Sequence, residues 1–349
     1  MDTLIKVLIG ILMFCVIVVS HEFGHFIIAK ANGVIVREFF VGFGPILFKK
    51  TKGDTTYSLR LIPLGGACVF DYDENTEDPM QSSYLSSNVW VRIAITLAGP
   101  VFNFILAFLL SLFVVGGTGY SPTMITEVSK GSPAMKAGLC EGDLITKIDR
   151  DRVYLFGEVS FATMYNRGEP IKITFIRDGI KQTLNVTPEY NEEYGRPMLG
   201  ITFGYNEDNP TPLETIKYSY CYVRYWVKIT VKSFLMMFTG QVGVKDLSSP
   251  IGVASVVSDV YDSAAKISVM AIIYSMLDIA ILISANLGVV NLLPIPGLDG
   301  GKLIFYIIEL FRGKPVSQER QGAVTLVGFA LLLLLTVVVM YNDIIRIIQ

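Results

Sequence analysis

Charge is what this chain has least of. Only 17% of its 349 residues are Asp, Glu, Lys or Arg, against 52% hydrophobic. Soluble domains carry about 25% charged residues. So small a charged fraction excludes an ordinary soluble globule and points to a membrane protein. The net charge of −2 makes no case for nucleic acid. Cysteine is scarce as well. Cys15, Cys68, Cys140 and Cys221 lie far apart with no C-x-x-C, which supports neither a disulfide framework nor a cysteine metal site. Histidine is scarcer still: His21 and His25 are the only two. The N-terminal apolar run has no small-x-small cleavage site after it, so it reads as a retained helix and not as a signal peptide.

What is present is apolar length. Four segments suit a bilayer core of about 30 Å, which takes ~20 apolar residues: roughly Leu4 to Ala31, Ile93 to Val115, Ile267 to Val290 and Gly322 to Met340. The expected fold is a polytopic α-helical membrane protein. Arg37, Lys49, Lys50, Lys52, Arg60 and Arg92 fall between the first two spans; Lys302, Arg312, Lys314 and Arg320 fall between the last two. The positive-inside rule puts both loops in the cytoplasm and the segment Gly116 to Lys266 outside.

That segment has the texture of a soluble domain. Ile125 to Val128, Leu144 to Ile148, Ile171 to Ile176 and Gln182 to Val186 are β-rich runs between Gly, Pro and Asp turns. After Pro212 a long helix carries aromatics with Lys217, Arg224, Lys228 and Lys232. It suits either a membrane interface, with the basic residues towards headgroups, or packing on the domain. In the first cytoplasmic loop, VGFGPILF (Val41 to Phe48) and LRLIPLGGACVF (Leu59 to Phe70) read as two or three short strands too apolar for water. Non-helical backbone at membrane depth needs protein or a wet cavity beside it.

Both histidines sit in the first span, in VVSHEFGHFIIA. HEFGH fits H-E-x-x-H. Helical residues four apart share a face, so His21 and His25 can address one ion. In this motif the histidines bind zinc, and the glutamate, here Glu22, is the general base of a hydrolase. A pair of structural histidines is the bland alternative. It is disfavoured because polar groups in a membrane are costly and usually functional. A zinc site needs a third protein ligand, and without further histidines it must be a carboxylate. Asp299, in NLLPIPGLDGGK at the end of the third span, lies at the depth of HEFGH; Asp278, deeper in that span, is the rival.

These motifs resemble the site-2 protease family of intramembrane zinc metalloproteases, and within it the bacterial regulator-of-sigma-E protease branch. The resemblance covers nearly the whole chain. It takes in HEFGH, AGPVFNFILA in the second span, the Gly-rich loop, KGSPAMKAGLCEGDLITKID, PMLGITF, KDLSSPIGVA and NLLPIPGLDGG. It implies zinc held by His21, His25 and Asp299, with Glu22 as base and Asn291 holding substrate backbone or the oxyanion. Gly99 and Asn103 would pack the second helix closely and offer a polar contact to substrate. Gly65 and Gly66 would sit on a membrane-entering β-hairpin that pairs with an unwound substrate. The inserted, mostly-β domain would be PDZ-like, with Leu199, Gly200 and Ile201 as its carboxylate-binding loop. The best-known members carry two such modules; here there is room for one.

The expected parts are 1–116, the N-terminal membrane half with the hairpin loop; 117–206, the PDZ-like domain; 207–266, the interfacial helix and linker; and 267–349, the C-terminal membrane half. The implied partners are the lipid bilayer and single-span membrane proteins such as anti-sigma factors or signal peptide remnants. The implied location is a bacterial inner membrane, with the active site towards the cytoplasm. A non-catalytic binder or chaperone of transmembrane helices is the alternative. A transporter is a third class, but no internal repeat supports it.

Overall fold

The computed structural model describes residues 2–71, 82–166, 168–205, 210–241, 243 and 249–348. Residues 245–248 of the KDLSSPIGVA motif lie outside the described residues. The chain forms two compact units, Met1–Leu110 with Gly243–Gln349, and Ser111–Val242.

The first unit holds the long apolar helices α1 (Asp2–Ala31), α7 (Val269–Leu292) and α9 (Gln318–Ile348), and α2 (Val89–Thr118) as far as Leu110. Each contains a window long and apolar enough to cross a membrane, at about 1.5 Å of rise per residue. Leu4, Leu12, Leu326 and Leu331 stay exposed on α1 and α9, as lipid-facing positions do. Two further helices belong to this unit: α6 (Pro250–Ala265) and α8 (Asp299–Arg312). The sequence reading had the α6 stretch as linker and Asp299 in a Gly- and Pro-rich stretch at the end of the third span. In fact Ser249 caps α6, accepting from the N–H groups of Ile251 and Gly252, with Pro250 in the first turn. Val257 of α6 packs with Met276 and Ile279 of α7, against Ile9 and Met13 of α1. Lys6 Nζ ties α1 to α6 through Asp262 Oδ2 at 2.5 Å and Ser258 Oγ at 3.1 Å.

The glycine-rich loop forms a hairpin of β1 (Val36–Lys52) and β2 (Thr55–Phe70). Both strands bend. Val41 is paired with Leu59 and also with Gly66, while Lys50 is paired with Tyr57. Four extended runs therefore lie side by side in the order 46–52, 55–62, 36–43, 66–70. Among the described residues, the run 66–70 is an edge. Phe26 and Ala29 of α1 pack with Val36, Cys68 and Phe70 of the hairpin.

The second unit contains β3 (Ile125–Val128), α3 (Pro133–Ala137), β4 (Leu144–Ile148), β5 (Asp151–Arg152), α4 (Phe156–Met164), β6 (Ile171–Arg177), β7 (Ile180–Val186), β8 (Glu189–Asn191), β9 (Arg196–Met198), β10 (Ile201–Phe203) and α5 (Pro212–Phe238). Its main sheet runs β5-β4-β6-β7, and β10 pairs with β3. The four β-rich runs read from the sequence are β3, β4, β6 and β7. Inward residues of alternating strands, among them Ile145, Ile173 and Phe175, form the core with Ala134, Leu139, Val159 and Leu199. The GLCEGD segment is closed by Asp143, which is fully buried. It is held by Arg177 Nε and Nη2, each at 2.7 Å, and by the Cys140 N–H at 2.9 Å.

Three basic residues of α5 turn to the domain. Arg224 Nη1 and Lys228 Nζ each lie 3.0 Å from Oε1 of Glu158, and Lys232 pairs with Asp151. Residues 224, 228 and 232 recur one turn apart, so a single stripe of α5 clamps α4 and β5. Of the two readings of this helix, packing on the domain is the one these three cations follow. Leu213, Ile216, Tyr220, Leu235 and Phe238 of α5 remain exposed.

Candidate metal centre and active site

The helical repeat brings His21 and His25 together on one face of α1. Their Nε2 atoms are 3.1 Å apart, and their rings are nearly perpendicular, at 86°. Asp299 opens α8 and points back to them. Its Oδ2 lies 3.1 Å from His21 Nε2 and 3.2 Å from His25 Nε2. All three side chains are buried. The rival Asp278 is not in the cluster, so the carboxylate is Asp299.

The hydrogen bonds behind the rings decide what the triangle can hold. His25 Nδ1–H donates to the Ile95 carbonyl of α2 at 2.7 Å, which leaves Nε2 as a lone pair. Pro100, within α2, has no N–H and removes a rung of the helix ladder close by. Asn103, fully buried, sets its amide 3.3 Å from His21 Nδ1. Amide oxygen and nitrogen are interchangeable by a flip. With the oxygen inward, the otherwise unpartnered Oδ1 accepts the Nδ1–H, and the second Nε2 is a lone pair too. Two lone pairs and a carboxylate oxygen, mutually 3.1–3.2 Å apart, repel unless a cation sits among them. A tetrahedral zinc with bonds of 2.0–2.1 Å has ligand–ligand edges of about 3.3 Å. The Oδ2 of Asp299 has no ordinary hydrogen-bond partner. The residues fit zinc.

Gly99 makes room for this. A Cβ there would collide with His25 Nε2 and lie 2.7 Å from His21 Cε1. So α2 packs directly on the histidine faces, and Asn103 follows one turn later.

Next to the triangle is a cavity of about 280 Å³, lined by Val18, His21, Glu22, Leu287, Asn291, Gly297, Leu298 and Asp299. Glu22 and Asn291 both face it. Asn103, expected to touch substrate, is instead buried behind His21. Gly65 is buried at the bend of β2 against Phe43, and Gly66 lies beside Glu22 on the edge run. The Cys68 N–H donates to Glu22 Oε2 at 3.0 Å. Sequence reasoning missed that bond and the Ile95 carbonyl, since backbone groups carry no sequence signal.

In the second unit, Leu199, Gly200 and Ile201 border a groove of about 380 Å³ between α4 and β10, with Phe156, Ser160 and Arg196. Gly200 has φ 72, and a Cβ would crowd Ser132. Its position therefore demands glycine for backbone reasons alone.

Residues 9–335 match Peptidase family M50. A Clostridium acetobutylicum protein assigned as a zinc metalloprotease is 34% identical over 97% of this chain and 97% of its own. The zinc metalloprotease RasP of Geobacillus kaustophilus is 29% identical over 98% of each chain. The regulator of sigma-W protease RasP of Bacillus subtilis is 28% identical over 96% of this chain and 97% of its own. Among solved structures, the PDZ domain of an SdrC-like protein from Listeria monocytogenes aligns with 24% of this chain and 86% of that one, at 24% identity and a TM-score of 0.22.

Proposed function

This chain belongs to peptidase family M50, and from that premise we propose that it cleaves the membrane-spanning segments of single-span proteins, with Glu22 as its base. It is a zinc metalloprotease of the membrane. The observation that carries the proposal is the buried His21–His25–Asp299 triangle opening on a cavity that Glu22 and Asn291 share.

Zinc bound there would supply Lewis-acid polarisation of the attacked carbonyl and a nucleophile from water near neutral pH. The residues do the rest. Glu22 takes the proton of the attacking water and returns it to the departing amine. Asn291 donates its amide N–H to the oxygen on which negative charge develops. A transmembrane substrate hides its peptide bonds in its own helix, so it must unwind. The freed groups then pair with the edge run 66–70 as an added strand. That edge lies beside Glu22, which puts the opened peptide next to the metal.

Substrates in this reading are anti-sigma factors, by similarity to a relative named as a regulator of sigma-W protease, or signal peptide remnants. The active site faces the cytoplasm and the Ser111–Val242 unit faces outside, as the Lys and Arg distribution supports. The groove bordered by Leu199–Ile201 takes a carboxylate or screens substrates by size.

The test is co-expression with tagged single-span proteins. Glu22→Gln should keep zinc at wild-type stoichiometry and cut nothing. His21→Ala, His25→Ala and Asp299→Ala should lose both metal and activity. Cleavage by Glu22→Gln at the wild-type rate sinks the role of Glu22 as base, whereas substrates held but left uncut by the wild type would leave a binder of transmembrane helices as the better reading.

A further inference from the structure

We infer that Glu22 and the substrate strand compete for one hydrogen-bond donor, the Cys68 N–H, so that Glu22 is parked on the hairpin edge until substrate releases it. The inference rests on the reading above, in which an unwound substrate segment pairs with the run 66–70.

A strand's backbone groups point alternately to its two sides. Phe39 is paired with Cys68, and Asp71 N–H donates inward to Ile35 O at 3.3 Å. Gly66, Cys68 and Phe70 are therefore the residues whose N–H and C=O groups turn outward, towards whatever strand is added. The middle one of the three is taken: its N–H donates to Glu22 Oε2 at 3.0 Å. Glu22 Cγ is also 3.8 Å from the point where a Gly66 Cβ would stand, so the carboxylate lies along the edge itself. An incoming strand needs that N–H for its central carbonyl. It can form its full ladder only after Glu22 lets go.

The consequence is an ordering. The free enzyme holds its base against the hairpin, away from full engagement with water in the cavity. Addition of a substrate strand takes the N–H and frees the carboxylate for the water beside the scissile bond. Peptides that cannot displace Glu22 do not trigger it. The site thereby avoids presenting an unoccupied base to chance peptide bonds.

The experiment uses the full chain, zinc-loaded and in detergent. The probe is a fluorophore-tagged Leu-Ala-Leu-Ala-Leu-Gly-Leu peptide with blocked ends. Its affinity is measured for Glu22→Gln, which keeps an acceptor for Cys68 N–H, and for Glu22→Ala, which does not. Glu22→Ala should bind about fivefold more tightly, one hydrogen bond's worth. Cys68→Pro, in both backgrounds, removes the disputed donor at an edge position where proline is tolerated, and should abolish the difference. Amide hydrogen exchange over 66–70, with zinc content as the folding control, reports whether the peptide occupies the edge. Equal affinities with the segment protected would overturn the competition and leave the edge reading intact. A difference that survives Cys68→Pro would overturn it as well. No protection of 66–70 in any variant would overturn the edge reading, and the competition with it.

Discussion

Replacing Gly99 with alanine isolates the packing of α2 on the histidines from every other feature of the site. The new Cβ would stand 2.7 Å from His21 Cε1 and closer still to His25. Carbon–carbon contacts settle at about 3.5–4.0 Å, so rings or helix must yield by about 1 Å. Metal–ligand distances tolerate about 0.2 Å. Neither ring can turn freely, because His25 is fixed by Ile95 O at 2.7 Å and His21 faces Asn103 at 3.3 Å. Overpacking of this kind costs about 1–3 kcal/mol. If the strain falls on the metal-bound geometry, zinc affinity drops roughly tenfold to a hundredfold, at about 1.4 kcal/mol per decade. The helix itself should gain, since alanine exceeds glycine by about 1 kcal/mol in helix propensity. The expected signature is weakened zinc binding with undiminished helicity. Competition against a chromogenic chelator gives the first and circular dichroism the second, both in detergent. Gly116→Ala is the control: its Cβ would meet Thr215 Cγ2 at 3.7 Å, an ordinary contact. Wild-type zinc affinity in Gly99→Ala would refute the close-approach argument.

Other outcomes follow from the second unit and from the topology. Glu158→Ala strips a buried carboxylate from Arg224, Lys228 and the Tyr154 N–H. It should destabilise the unit by about 3 kcal/mol, the low end for breaking a buried pair because both cations can reach water. Faster proteolysis within α5 reads this out, and an unchanged rate counts against the clamp. Glu214 is held below its usual carboxylate range by hydrogen bonds from the Thr211 side chain and backbone. A depressed folded pKa gives stability present above the ordinary value of 4.5 and lost as pH falls below it. The first turn of α5 should therefore fray progressively under acid, and Glu214→Gln should remove that pH dependence; identical acid profiles for the two proteins would refute it. A cysteine at Thr51 should be labelled only after the membrane is opened, and one at Asn191 in intact cells; labelling of Thr51 in intact cells reverses the orientation.

The sequence was most readable where one period dominates. Membrane spans announce themselves by uncharged length, and HEFGH needs only the helical repeat to put two imidazoles on one face. Asp299 was identifiable as a residue but not in its setting. The Pro- and Gly-rich run before it hides the start of α8, whose first residue it is. Helix α6 was passed over because PIGVASVVSDVYDSAA is rich in Val and Ser, weak helix formers, although Ser249-Pro250 is a legible start signal. The stripe Arg224, Lys228, Lys232 shows which residues share a face, yet its partners lie some 70 residues earlier. Periodicity cannot distinguish Glu158 from a phosphate headgroup. Asn103 is similar: its spacing from Gly99 marks a close-packed face with a polar contact, and only the fold shows that His21 is the partner.

The metal centre also accounts for how the first unit coheres. Between helices in lipid there is little hydrophobic drive, so small residues and polar contacts must hold them. Here these are largely the groups that build the site. Gly99 lets α2 meet α1, and Asn103 and the Ile95 carbonyl of α2 fix the two rings. Ser284 of α7 donates to the Asn103 carbonyl at 2.8 Å. On α8, Asp299 closes the triangle, and Glu309 binds Arg92 of α2 at 2.6 Å. These ties of α2 to its neighbours thus also constrain a ligand or its support. Metal occupancy and helix association are one equilibrium viewed from two ends. Zinc added to the assembled unit stabilises it by mass action, and any substitution that loosens α2 is paid for in zinc affinity before the helices part.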